Sequence, residues 1–241
     1  MNALSDFDTA LTFLTRLGRA RITSSEAVGR SMGMYPLVGA VIGLLMAAAS
    51  LLPLSSWVLA WVLTGLNVWL TRGLHWDGWA DLWDGWGSGA TGERFWAVVK
   101  DSRIGAFGVM GLILGMGAQT ALFERAAALG AWEAILFAPA FGRLCCLVLA
   151  RAGRGLDRPG LGRTALQGAT ARALVLGGAT AAALALLLPA AHVLSALALA
   201  AAALAPLLSL ARREGAVNGD FLGSAVVACE TCALLPLAFL P

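Results

Sequence analysis

The chain has 241 residues, of which 59% are hydrophobic and only 13% charged, and its formal net charge is +3; the mean hydropathy is +0.78. A soluble domain draws on roughly 25% charged residues for its polar coat. This chain cannot supply that coat, which argues against a soluble globular protein, a disordered tail and a nucleic-acid binder, and makes a bilayer its natural solvent.

The N-terminal stretch MNALSDFDTALTFLTRL carries Asp6 and Asp8. It lacks a basic region followed by a cleavage site and does not read as a signal peptide. Seven apolar runs follow, at 33–53, 56–71, 104–123, 132–150, 173–189, 193–211 and 221–240. Each is near the roughly 20 residues that cross a hydrocarbon core, with 56–71 and 173–189 short. Strict alternation is absent and Ala and Leu dominate, so the runs are helices rather than barrel strands. The expected fold is all-α, a polytopic membrane bundle of about seven transmembrane helices, six being the alternative. It forms one membrane-embedded catalytic domain over 1–241. Glycines in 33–43 and 105–117 and the Ala-rich stretch 179–205 suit close helix packing.

Basic residues orient the bundle. Arg16, Arg19, Arg21 and Arg30 precede the first run. Arg72, Arg94, Lys100 and Arg103 follow the second, Arg151, Arg154, Arg158, Arg163 and Arg172 the fourth, and Arg212 and Arg213 the sixth. That places 15 of the 17 basic residues on one side. The expectation is a multi-pass protein of the cytoplasmic (inner) membrane with a cytoplasmic N-terminus. The opposite-side connections (53–55, 124–131 and 190–192) are short, and His192 reads as inert in the last of them. The basic 151–172 loop reads as a positive-inside loop.

The informative stretch is GLHWDGWADLWDGWG at 73–87, within a cytoplasmic segment 73–103. Asp77, Asp81 and Asp84 stand at i, i+4 and i+7, within about 40° of one direction on a helix. Trp76, Trp79, Trp83 and Trp86 take roughly the opposite side, which suggests a helix lying at the headgroup level. Three carboxylates on one face repel each other. A cation among them resolves this, and oxygen-only ligands favour Mg²⁺ or Mn²⁺. His75 beside them is a candidate metal ligand, phosphate donor or general base. Gly78 and Gly85 offer a flank where a ligand approaches the backbone.

Other polar residues fall on the same side. Asp101 and Arg103 precede the third run. Arg143 lies within the fourth, and Arg103 and Arg143 are candidate phosphate clamps. Asn218 and Asp220 open the seventh run, Asp220 either as its N-cap or as a site residue. Glu230 lies about 15 Å further in, where an ionisable group is a functional candidate by default; it either pairs with Arg143 or serves a substrate cavity. Cys145, Cys146, Cys229 and Cys232 read as small buried hydrophobes.

These residues outline a membrane phosphotransferase. The chain also resembles the cobalamin (5′-phosphate) synthase family, the adenosylcobinamide-GDP ribazoletransferases. The resemblance begins at FLTRL (13–17) and YPLVG (35–39), peaks at GLHWDGWADLWDG (73–85), and continues through KDSRIG (100–105), Gly142-Arg143 and GDFLG (219–223). It implies an Mg²⁺-dependent membrane enzyme that couples adenosylcobinamide-GDP to α-ribazole or its 5′-phosphate and releases GMP. It implies catalytic roles for His75, Asp77, Asp81 and Asp84, metal binding by the three aspartates, and substrate contacts from Asp101, Arg103, Arg143 and Asp220. Gly18 stands where the family often has proline, and Val227 where a glutamate is common, leaving Glu230 alone. The expected partners are the two substrates and membrane lipid, without nucleic acid; a homo-oligomer and a complex with pathway enzymes stay open. The rival readings are a phosphotransferase acting on CDP-linked alcohols, whose usual arginine is replaced here by Asp81, and a divalent cation transporter.

Overall fold

The computed structural model describes residues 3–18, 24–156, 158 and 161–239; Arg19 and Arg21, and residues 157, 159 and 160 of the basic loop, lie outside them. Among the described residues the chain is helical, without a β-strand. In order the helices are α1 (Ala3–Leu14), α2 (Ser25–Arg30), α3 (Tyr35–Ala49), α4 (Ser56–Thr71), α5 (Leu74–Gly87), α6 (Glu93–Val99), α7 (Ala106–Leu129), α8 (Trp132–Ala152), α9 (Leu161–Gly168), α10 (Ala171–Ala185), α11 (Ala190–Arg213) and α12 (Gly219–Leu234).

All seven apolar runs became helices. Five spans among the described residues are long and apolar enough to cross a membrane: Ser25–Ala49, Ala106–Leu129, Trp132–Ala152, Ala190–Arg213 and Gly219–Ala238. A sixth exists if α9 and α10, bent by 82° at their junction, count as one broken span. Helix α4, with 16 residues, is shorter than these. Two connections differ from expectation. Helix α7 runs on through 124–129, so the predicted loop at 124–131 shrinks to a turn at Gly130 (φ 65°). His192 sits in the first turn of α11 rather than in a loop, buried, with its Nε2 2.8 Å from the Ala233 carbonyl.

Helices α8 and α12 form the centre. Of the most apolar window of each, 78% is buried, against 11% for α11, whose outer face is left to lipid. Glycine lets α3 close on α8. A Cβ on Gly39 would collide with the Pro139 carbonyl, and one on Gly43 with that of Leu136. Such small-residue contacts replace a hydrophobic driving force that lipid does not supply. The four cysteines are buried and unbridged between α8 and α12.

Arg16 and Arg72 serve as caps. Arg72 Nη2 donates to the Phe13 carbonyl at the end of α1 (2.6 Å), and Arg16 Nε to the Trp69 carbonyl at the end of α4 (2.8 Å). Guanidinium charge is favourable at these negative helix ends. Arg72 and Gly73 both take left-handed backbone (φ 57° and 69°) and turn the chain directly from α4 into α5. This corner fixes where the acidic helix starts. Gly43→Val is expected to force α3 off α8 and cost about 1–3 kcal/mol, read as a lower unfolding midpoint in detergent; an unchanged midpoint would show that the two helices are not held at backbone contact.

Candidate active site

The segment 74–87 is a helix, as the aspartate spacing requires, but its surroundings differ from a helix lying at the headgroup level. Helix α5 packs between α7 and α12. Trp79 Nε1 donates to the Gly111 carbonyl (2.9 Å), and Trp76 and Trp83 lie over glycines of α7. The indoles form a ladder with ring centroids 5.7–6.4 Å apart. Of the four, Trp86 is the one that is largely exposed. The two glycines of the motif serve helix contact rather than ligand approach. A Cβ on Gly78 would stand 2.7 Å from Asp220 Cα, and one on Gly85 would meet Val99 and Phe95 of α6.

The three aspartates divide. Asp77 is exposed and Asp81 half-buried, and both line an open cavity of about 630 Å³ with Arg72, Ser102 and Ile104. Asp84 is buried and turned to α7, accepting from the Gly105 and Gly108 amides at 2.7 Å each. It caps the start of α7, where an anion is favoured. Those two glycines are required because a Cβ on either would strike its carboxylate.

Asp220 takes the place on the cluster that the spacing assigned to Asp84. Asn218 is the N-cap of α12, its Oδ1 accepting from the Asp220 and Phe221 amides, so Asp220 is not the cap. Asn218 Nδ2 also donates to Asp220 Oδ2 (2.6 Å). Asp220 lines a second, more enclosed cavity of about 200 Å³ with Asp77, His75 and Arg143. Burial, then the charges of Asp220, Asp77 and Asp84, push the Asp81 carboxyl up to about 7.

Among the described residues no three His, Cys, Asp or Glu side chains form a ready-made metal cluster. Mg²⁺ needs less than that, since one or two carboxylates suffice and water and phosphate complete its shell. Asp77 and Asp81 on one cavity wall, repelling each other and Asp220, fit such an ion.

Asp101 and Arg103 pair with each other in a two-pronged bridge (3.0 and 2.8 Å), with Arg103 87% exposed. Their neighbour Ser102, rather than either of them, lines the larger cavity. Arg143 is wholly buried. Its Nη1 donates to Glu230 Oε1 (2.7 Å) and to the Pro139 carbonyl (2.9 Å). Its Nη2 lies 3.2 Å from His75 Nε2. A guanidinium only donates, so that nitrogen of His75 accepts, and burial together with the Arg143 charge holds the imidazole pKa well below its ordinary value. Glu230 Oε2 accepts from Asn67 Nδ2 (2.9 Å) and Gln119 Nε2 (3.4 Å). The sequence reading passed over Asn67 and Gln119; an amide inside an apolar run was the available signal.

Two measurements check this geometry. Glu230→Ala strands a buried guanidinium and is expected to cost about 3–5 kcal/mol, whereas Arg143→Met combined with Glu230→Leu is expected to recover most of it; equal losses in both would show that the pair is not what holds the centre. The folded pKa of Asp81 exceeds its ordinary 3.8, so the native state holds the extra proton and metal-free protein loses stability as pH rises from 3.8 to about 7. At pH 8 without divalent metal, Asp81→Asn is therefore expected to melt higher than the unaltered protein and to gain less from added Mg²⁺. A lower melting temperature would contradict the crowding of carboxylates.

The family model for cobalamin-5-phosphate synthase matches residues 6–238. An adenosylcobinamide-GDP ribazoletransferase of Nitratidesulfovibrio vulgaris (strain DSM 19637 / Miyazaki F) is 46% identical over 92% of this chain and 90% of its own. Its counterpart in N. vulgaris strain DP4 is 43% identical over 94% of each chain, and that of Brevibacillus brevis 32% over 95% of each. No solved structure matches the chain. The chain belongs to the cobalamin-5-phosphate synthase family.

Proposed function

We infer that this chain is an adenosylcobinamide-GDP ribazoletransferase, a membrane enzyme that joins adenosylcobinamide-GDP to α-ribazole or its 5′-phosphate and releases GMP in a late step of cobalamin assembly. What carries the reading is the near-full-length relationship to transferases of that name. The cavity chemistry agrees with it. In the displacement, the ribose 3′-hydroxyl oxygen forms a bond to the phosphorus that stays with the corrinoid. The bond from that phosphorus to the bridging oxygen breaks, and GMP leaves with that oxygen.

Mg²⁺, or Mn²⁺ in its place, would be held by Asp77 and Asp81 with Asp220 nearby, and when bound would neutralise charge on the diphosphate. Arg72 and the Ser102 hydroxyl line the same wall, where donors suit phosphate oxygens. Arg143 works from behind, orienting His75 and Glu230 rather than clamping phosphate. His75 Nε2 already accepts a bond, so the hydroxyl proton goes to a carboxylate, and Asp220 is the one steadied by Asn218. Asp84 acts by fixing α5 against α7. The excess of Lys and Arg on one side supports a cytoplasmic membrane location with the site facing the cytoplasm.

The test is divalent-metal-dependent nucleotide release by purified protein. Unaltered protein is expected to release GMP from adenosylcobinamide-GDP and no CMP from a CDP-linked alcohol. Asp77→Asn and Asp81→Asn are each expected to lose at least about a hundredfold in rate. Near-normal rates in both would remove the site, and CMP release would replace the substrate.

A further inference from the structure

Asp77 stands between two cavities of different character. The larger one, about 630 Å³, is open and shares its wall between apolar side chains, Asp77, Asp81, Arg72 and Ser102. The inner one, about 200 Å³, is more enclosed and overwhelmingly apolar. Its inner wall carries the stacked rings of Phe13 and Tyr35 (centroids 6.3 Å apart, planes at 25°), with Val28 and Val226 beside them. Its polar groups are His75, Asp77, Arg143 and Asp220.

Resting on the function inferred above, we propose that the inner cavity is the acceptor site: it takes the aromatic base of the nucleoside and presents the sugar hydroxyl to Asp77 and Asp220, while the outer cavity takes the diphosphate-linked donor. Three features carry this. A planar base needs an apolar slot with aromatic walls, and the inner cavity has one at Phe13 and Tyr35. The reaction needs an acceptor oxygen and a donor phosphorus within about 3–3.5 Å of each other, and the two cavities meet at Phe13, Leu74 and Asp77, of which Asp77 carries the polar group. The corrinoid donor is far too large for the enclosed space, which leaves the open cavity to it. The inner slot therefore sets which base is accepted, through Val28 of α2 and Tyr35 of α3, neither of which touches the donor side.

Steady-state kinetics with both substrates varied separates the assignments. Val28→Phe, which fills the slot, is expected to raise KM for α-ribazole about tenfold or more and to leave KM for adenosylcobinamide-GDP within about twofold. Tyr35→Ala, which enlarges it, is expected to shift kcat/KM about tenfold toward ribosides of bulkier bases. Unfolding midpoints in detergent check that each variant is folded, and Tyr35→Ala decides if Val28→Phe is not. A rise in the donor KM alone, or equal changes in both, overturns the placement. If unaltered protein releases no GMP with any acceptor, the functional reading fails instead, so the two failures are distinguishable.

Discussion

Glu230 and Arg143 meet 2.7 Å apart at side-chain exposures of 5% and 0%. An ionised group alone at such a place costs several kcal/mol even after relaxation. The pair therefore imposes its geometry on everything that surrounds it. Glu230 draws in Asn67 of α4 and Gln119 of α7, and Arg143 draws in His75 of α5 and the carbonyl that precedes Ala140 in α8. Five helices are thereby referred to one point. Asp77 and Asp81 follow His75 by two and six residues of α5, about half a turn and one and two-thirds turns, so the precision of the site derives from a buried polar centre.

Around the centre, small residues decide how close the helices come. Gly39 and Gly43 bring α3 onto α8, and Gly78 brings α5 onto the start of α12. The last of these joins architecture to chemistry, because the residue against Gly78 is Asp220. The carboxylate that joins Asp77 in the inner cavity is placed by a missing Cβ one position after Asp77. The same economy appears at Gly105 and Gly108, whose amides bind Asp84 and whose lack of side chains admits it.

The membrane helices, and the helical state of 74–87, were legible in the sequence because apolar runs and i, i+4, i+7 spacing depend on local geometry alone. The pairing of Arg143 with Glu230 was one of the two alternatives the sequence left open, since opposite charges inside apolar runs have few other partners. What the spacing could not show was which neighbour each aspartate would face. One helical direction contains Asp77, Asp81 and Asp84, yet α7 arrives with two free amides and takes Asp84, and α12 arrives with Asp220 and sets a carboxylate beside Asp77 in the inner cavity. Long-range approach of helices decides that exchange, and no local pattern records it. The tryptophans misled for a related reason: indole is equally at home at a headgroup and over a row of glycines, and α7 offers the glycines.

The contrast between α8 and α11 carries a consequence for how this chain can vary over evolutionary time. The central helix has partners on every side, so a change at almost any of its positions must be matched by a neighbour. Helix α11 has only 11% of its most apolar window buried, and acyl chains against its outer face would accept Leu, Ala, Val or Ile alike. Its long run of alanines and leucines is free to drift among apolar residues, and divergence between relatives is expected to concentrate there, with His192 and the last basic turn as its fixed ends.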